Sequence, residues 1–498
     1  MEGSLILPLI VLLPLVGAIV SLGMTGSRAG KAKLVALGFS LIDLVLVLYI
    51  MLVGHYEAGD YNFSANWIDT IGLKMSLILT VDGLSILMLF LTAFLMVIAL
   101  AFSYKESDRP NTFFALLLII EFGLMGVYTA ADYFLFYIMW EVTLIPMFFL
   151  ISWYGGPRRH YSAIKFFIYT HVASLVMMIG IFALVFQAST VTGVVDFSFD
   201  AVLSASQLGV FGHTFQYLVF GLLFFGFLVK MPSAPFHTWL PDAHTEAPTA
   251  GSVLLAGVML KMGSYGIIRI CFETLPDGAA DWQWVMIAMG LFSSVYGAYA
   301  CIAQRDLKKM VAYSSVSHMG MVMLAMGLLS PIGIQFAVFQ MFAHGLVSAM
   351  LFMVCGWAGH SIGTREIPLL GGLASKFPKF AGMMMFCFMA SLGLPGLIGF
   401  WGEFGIIMGF YEFLVNENMI YLLVIVLLSL LLTAGYYLWA MQRTLFGHTT
   451  TKIDLSHAHD LSRLEFAVLG IIAVAIVAYG LWPDLALHFI DTYVVLGV

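Results

Sequence analysis

The chain has 498 residues, of which 61% are hydrophobic and only 10% charged, with a mean hydropathy of +1.00. Soluble proteins carry about 25% charged residues, so a soluble enzyme is excluded and an integral membrane protein is indicated. The net charge of −7 comes without a basic block or an aromatic-interleaved basic patch, which excludes nucleic acid and leaves lipid and other proteins as partners.

Apolar runs of about 20 residues, long enough to cross hydrocarbon, recur from one end of the chain to the other. About fourteen are expected, in an all-α polytopic membrane fold. Spans one to seven are read at 5–23, 34–53, 84–102, 113–130, 133–151, 164–186 and 215–240. Spans eight to fourteen follow at 249–272, 284–302, 310–329, 332–357, 380–413, 420–445 and 466–481, with no soluble domain between. The first run lacks a basic flank and an Ala-x-Ala-like cleavage site, so it is read as a retained span. Cys271, Cys301, Cys355 and Cys387 are scattered singly in apolar helices and read as buried structural thiols, with no metal or haem pattern.

Four charges fall inside these spans: Glu141 in five, Lys230 in seven, Lys261 in eight and Glu403 in twelve. Each costs roughly 2.5–3.5 kcal/mol at the centre of a spanning helix, and such residues usually mark an ion or proton path. Lys230, Lys261 and Arg269 are the basic residues that loop placement does not explain. Of the others, all but Lys74 lie in odd-numbered loops, among them Arg305, Lys308 and Lys309 after span nine. The positive-inside rule then puts the odd loops in the cytoplasm and both termini on the opposite side.

Two spans carry breaks. In span seven, Pro232 and Pro235 free the carbonyls of Leu228 and Met231, so the helix is expected to stop beside Lys230. Span twelve is interrupted by Gly393-Leu394-Pro395-Gly396, with Gly399, Gly402 and then Glu403 following. The breaks are five spans apart, an odd offset that places them in opposite directions across the membrane. Residues 113–272 (spans four to eight) and 282–446 (spans nine to thirteen) are therefore expected to form inverted five-helix repeats. Residues 1–112 precede them with three spans, and 447–498 follow with a loop and span fourteen. Irregular backbone at membrane depth must be buried in protein or line water, so both breaks are expected to border hydrated half-channels, a packing kink being the alternative.

Polar residues at helical spacing extend the pattern. Lys261, Tyr265 and Arg269 share a face of span eight, Gln340, His344 and Ser348 one of span eleven, and Ser314 and His318 one of span ten. Histidine relays protons near neutral pH, so His318 and His344 are candidates, whereas His171 is read as a packing residue. Glu121 in span four is expected to face the same interior as Glu141, with Asp43 in span two a weaker candidate. Glu141 and Lys230 are expected to pair and to exchange a proton as they approach and separate.

Motifs in the same stretches carry a family likeness. Met139-Trp140-Glu141-Val142-Thr143-Leu144-Ile145-Pro146, then Lys230-Met231-Pro232 and Pro235-Phe236-His237-Thr238-Trp239-Leu240-Pro241-Asp242-Ala243-His244, resemble the antiporter-like subunits of respiratory complex I. The likeness continues through Glu246-Ala247-Pro248-Thr249, Lys261-Met262-Gly263-Ser264-Tyr265-Gly266, Asp306-Leu307-Lys308-Lys309 and Ala312-Tyr313-Ser314-Ser315 to His318-Met319-Gly320. It implies a proton relay through Glu141, Lys230, Lys261 and Glu403, supported by His237, His318, His344, Glu121, Tyr265 and Arg269. Glu403 matches the M type, since L-type and N-type subunits and Mrp sodium/proton antiporters typically carry lysine there; no long amphipathic helix follows span fourteen, as an L type would require.

The resemblance further implies a proton-pumping membrane-arm subunit in an energy-converting membrane, beside L-type, N-type and small membrane subunits. This chain is expected to hold no cofactor or metal. Flavin, iron-sulfur clusters and a quinone or phenazine are expected in partner subunits, with NADH, ferredoxin or a reduced deazaflavin as donor. The competing readings are an Mrp-type cation/proton antiporter subunit and a structural scaffold.

Overall fold

A computed structural model describes residues 2–54, 56–70 and 72–493. Among them, fourteen helices are long and apolar enough to cross a membrane, making this a multi-pass membrane protein. Span six is Arg159–Thr192 and span nine is Pro276–Ile302, both longer than hydropathy suggests because their polar ends continue as helix beyond the apolar stretch.

Polarity sorts the spans radially. Spans eight (Thr249–Phe272), ten (Leu307–Gly327) and eleven (Pro331–Ile362) carry Lys261, His318 and His344 and are almost wholly buried. Spans one (Ile6–Gly23), two (Gly26–Val53), thirteen (Ile420–Leu445) and fourteen (Arg463–Leu481) are peripheral and turn residues such as Val45, Leu431 and Val474 outward. A polar side chain facing hydrocarbon lacks hydrogen-bond partners, whereas Leu and Val lose nothing there, which drives this order.

Lipid supplies little force to join helices, so close backbone contact must. Spans nine and ten meet through glycines. A Cβ on Gly290 would stand 2.5 Å from Leu324 N, one on Gly297 2.6 Å from Ser317 N, and one on Gly320 2.6 Å from Ser294 N.

Both expected breaks are present. In span seven the helix His213–Lys230 stops at Lys230, and a second segment, Trp239–Glu246, follows the proline turn. The Leu228 carbonyl released by Pro232 is taken by Ser233 N–H at 3.3 Å, and the Trp239 indole N–H pins the second segment to the Val229 carbonyl at 3.0 Å. Span twelve divides into Pro378–Ser391 and Ile398–Asn416. Gly393 has φ 78° in the turn between them, and a Cβ there would stand 2.5 Å from Glu403 Oε2, so glycine is required both by conformation and by the carboxylate. Span eight is also irregular, with π segments at Leu255–Met259 and Ile267–Phe272 flanking Lys261–Gly266. Nothing in the residue pattern announces them; π bulges cluster at functional sites.

A small sheet accompanies the helices. Four strands, β1 (Glu2–Gly3), β2 (Phe63–Thr70), β3 (Leu73–Leu79) and β4 (Val195–Asp196), form a sheet in that order. β2 and β3 are an antiparallel hairpin, while β4 adds parallel to β3. The sheet joins the chain start to the loops after spans two and six. Its Lys74 makes a 3.0 Å ion pair with Asp196, so the one loop lysine outside the odd loops is neutralised. Burial works to raise the Asp196 carboxyl, but the Ser198 N–H and Lys74 outweigh it and hold it below its ordinary value. Asp132 caps span five (Tyr133–Tyr154) through Phe134 N and Leu135 N and accepts Ser76 N–H from β3 at 3.0 Å.

Gly297→Leu is expected to force spans nine and ten apart. Its folded yield in detergent should fall several-fold and its melting temperature by several degrees, while a conservative change at lipid-facing Leu431 leaves both unchanged.

Candidate functional site

At the centre, Lys261 is fully buried. Its ammonium donates to the Ala256 carbonyl, which lies in the preceding π segment, and to His344 Nδ1 at 2.7 Å. A lysine ammonium only donates, so His344 Nδ1 accepts and the neutral ring carries its proton on Nε2. His344 Nε2 and Gln340 Oε1, a donor and an acceptor, have no hydrogen-bond partner among the described residues. Both residues line a cavity of 10 Å³ that also touches His318, Ser391 and Glu403, room for about one water. The His318 and His344 rings are 5.6 Å apart, and His318 Nδ1 lies 3.4 Å from Glu403 Oε1. Spans eight, eleven, ten and twelve thus bring Lys261, His344, His318 and Glu403 into one continuous polar line.

Glu141 and Lys230 are arranged differently from expectation. Glu141 accepts from Ser174 and bonds His171 Nδ1 at 3.0 Å, both on span six. Lys230, 2% exposed, sits 5.6 Å from the Trp140 ring and 5.7 Å from the Phe166 ring. The two make no direct ion pair; the Glu141 charge reaches Lys230 through space. One residue is about 100° of helix, so Trp140 faces the lysine while Glu141 turns to span six. His171, read as a packing residue, is thus hydrogen-bonded to Glu141.

Glu121 does not join Glu141. It accepts from Ser40 of span two at 2.6 Å, and its charge acts on Asp43, because spans two and four pack together on the far side of the first repeat region. On span eight Arg269 stays beside Tyr265, its guanidinium 5.7 Å from the ring, and both have further partners. Tyr265 donates to the Tyr128 carbonyl of span four at 3.3 Å, while Arg269 pairs with Asp82 and, at 3.3 Å, with Glu273, which also accepts from Tyr493. Ser348 bonds back to Gly345 of its own helix at 3.3 Å. His237 is buried between the rings of Tyr296 and Tyr313, at 5.1 and 6.0 Å, with the Lys165–Asp242 pair at 2.7 Å nearby.

Two residues escaped the reading of the sequence. His244 is fully buried, stacked on Phe352 at 4.3 Å, and lies within the fields of Lys261 and Lys308. Lys308, counted as a loop residue, is 2% exposed and donates to the Ala247 carbonyl at 2.6 Å. Its neighbour Lys309 is the solvent-side residue of that pair, and only packing separates the two.

Residues 130–434 match the family described as NADH:quinone oxidoreductase/Mrp antiporter, transmembrane. The chain belongs to this family. F(420)H(2) dehydrogenase subunit M of Methanosarcina mazei is 40% identical over 486 residues, covering 96% of this chain and 94% of that protein. NADH-quinone oxidoreductase subunit M of Escherichia coli K12 is 37% identical over 495 residues, with 96% and 95% covered. A chain of respiratory complex I from Thermus thermophilus superimposes with a TM-score of 0.84 at 27% identity, covering 98% and 99%. A chain of the Mrp complex from Dietzia shares the fold alone, with a TM-score of 0.82 at 22% identity. The M-type likeness drawn from Glu403 agrees with the names of both relatives.

Asp82→Asn separates the ion pair with Arg269 from capping at the start of span three (Gly83–Phe102), because Asn serves equally well as an N-cap. It should lower stability by about 1–2 kcal/mol, less than for a fully buried pair, since Asp82 is 34% exposed and Glu273 still faces Arg269. Thermal unfolding in detergent checks this.

Proposed function

We propose that the chain is the M-type antiporter-like subunit of a complex I-type oxidoreductase and moves protons outward while partner subunits transfer electrons. The observation that carries this reading is the buried line Lys261–His344–His318–Glu403, whose members touch or share one water-sized cavity. A proton passed from Lys261 to His344 Nδ1 leaves from Nε2 and crosses that cavity to the His318–Glu403 pair. Glu141 biases Lys230 through the intervening field, so a change at the Glu141–His171–Ser174 cluster alters how tightly Lys230 holds its proton. His237 and His244 extend the polar line from Lys261 toward the second segment of span seven, and Lys308 stands beside that extension. Tyr265, Arg269 and Glu121 support it from the flanks.

Residues 113–272 and 282–446 are taken as the inverted repeats, each contributing one broken span. The odd loops face the cytoplasm and both termini the other side, as the basic residues favour. L-type, N-type and small membrane subunits flank the chain. Flavin, iron-sulfur clusters and a quinone or phenazine reside in partner subunits, which also select NADH, ferredoxin or a deazaflavin as donor.

Glu141→Ala and Lys230→Ala, made separately in the assembled complex, should each lower proton pumping and coupled electron transfer about tenfold or more. Assembly and electron transfer to artificial acceptors should be unchanged. Wild-type pumping in both variants would refute the relay. Sodium-dependent proton movement in vesicles holding this chain and its membrane partners, without an electron donor, would instead establish the Mrp-type reading.

A further inference from the structure

A chain of hydroxyls leads away from His318 on the side opposite Glu403. His318 Nε2 lies 3.3 Å from Ser391 Oγ, and Ser391 donates to the Tyr437 hydroxyl at 2.7 Å. Tyr437 donates to Ser314 Oγ at 3.1 Å, and Ser314 donates to the Val311 carbonyl at 2.8 Å. All four side chains are buried. Spans ten, twelve and thirteen each contribute to it, and Ser391 is the last residue of the first segment of span twelve, so the helix break itself sets its position.

The direction of the chain determines the state of the histidine. A serine hydroxyl has one proton, and that of Ser391 goes to Tyr437, so Ser391 accepts from His318. The neutral imidazole therefore carries its proton on Nε2 and presents the Nδ1 lone pair to Glu403 Oε1 at 3.4 Å. The chain ends on a backbone carbonyl, which has no proton to pass on. It orients and does not conduct.

We infer that Tyr437 is a positioning residue that holds His318 as the Nε2–H tautomer, making Nδ1 the atom that takes and returns the relayed proton. The inference rests on the relay reading above and extends it to a residue outside the relay. Without the Tyr437 hydroxyl, Ser391 can turn its proton onto His318 Nε2. The ring proton then moves to Nδ1, and neutral His318 can no longer accept from Glu403 or from the cavity. The Tyr437 ring packs independently on Phe388 at 4.9 Å and Tyr436 at 4.4 Å, so Tyr437→Phe removes the hydroxyl and keeps the packing.

The test uses the complete complex in inside-out vesicles, with Tyr437→Phe, Ser391→Ala, Ser391→Thr, Tyr436→Phe and Glu403→Gln. Tyr437→Phe and Ser391→Ala should lower pumping per electron transferred about tenfold, the scale on which an orienting partner acts. Ser391→Thr, which keeps the hydroxyl, and Tyr436→Phe, which lies outside the chain, should pump as wild type. The ¹⁵N NMR signature of His318, isolated by difference against His318→Asn, should show the ring proton on Nε2 in the wild type and on Nδ1 in Tyr437→Phe. Wild-type pumping in Tyr437→Phe and Ser391→Ala alongside a defective Glu403→Gln overturns the positioning role while leaving the relay intact. Wild-type pumping in Glu403→Gln overturns the relay and this role with it.

Discussion

Burying Lys261 is the constraint on which the rest of the arrangement depends. An ammonium in a low-dielectric interior is tolerated only when its protons are taken by good acceptors. Here the acceptors are the Ala256 carbonyl and His344 Nδ1, and both come at a structural cost. The first lies in a π segment, and the second requires span eleven to pack directly on span eight. Once His344 is turned to the lysine, its Nε2 points into the small cavity beside Gln340, and His318 and Glu403 complete that cavity's wall. One buried charge thereby organises four helices.

The helix irregularities follow the same logic. The break in span seven ends the first helix segment at Lys230, and the break in span twelve brings Gly393 against Glu403. The π segments bracket Lys261. Lipid cannot hydrogen-bond loose backbone, and at the break in span seven the Ser233 N–H takes the released carbonyl of Leu228. Spans one, two, thirteen and fourteen, all strongly apolar, lie outside, while Gly83–Phe102, the most apolar of the spans, is largely buried.

Glu141 and His171 stand apart from this buried centre. Their side chains are 20% and 37% exposed in the isolated chain, whereas Glu403 and His318 are 8% and 6% exposed. The two ends of the proposed path are thus unlike: one is sealed by this chain's own helices, and the other sits at its outer surface on spans five and six. A titratable pair at the surface of a membrane subunit can respond to a neighbour, while a sealed pair responds only to what the chain passes to it.

Composition and spacing alone determined the membrane class, the number of spans, both helix breaks and the four intramembrane charges, while the motifs around those charges carried the family likeness. Each follows from local rules: charge is costly in lipid, proline removes a donor, and glycine permits a positive φ. Tertiary structure decided which charges meet. Glu141 and Lys230 lie on expected spans yet face different neighbours, because one residue of helix rotation turns Trp140 to Lys230 and Glu141 to span six. Glu121 is drawn to Ser40 and not to Glu141, Lys308 is buried where Lys309 is not, and two short strands after span two recruit β4 from a distant loop. The hydroxyl chain from His318 through Tyr437 joins residues more than a hundred positions apart in the sequence. Helical periodicity places a side chain on a face, but the face opposite it is chosen by packing between spans, and hydrogen-bond direction is settled only when every partner is in place.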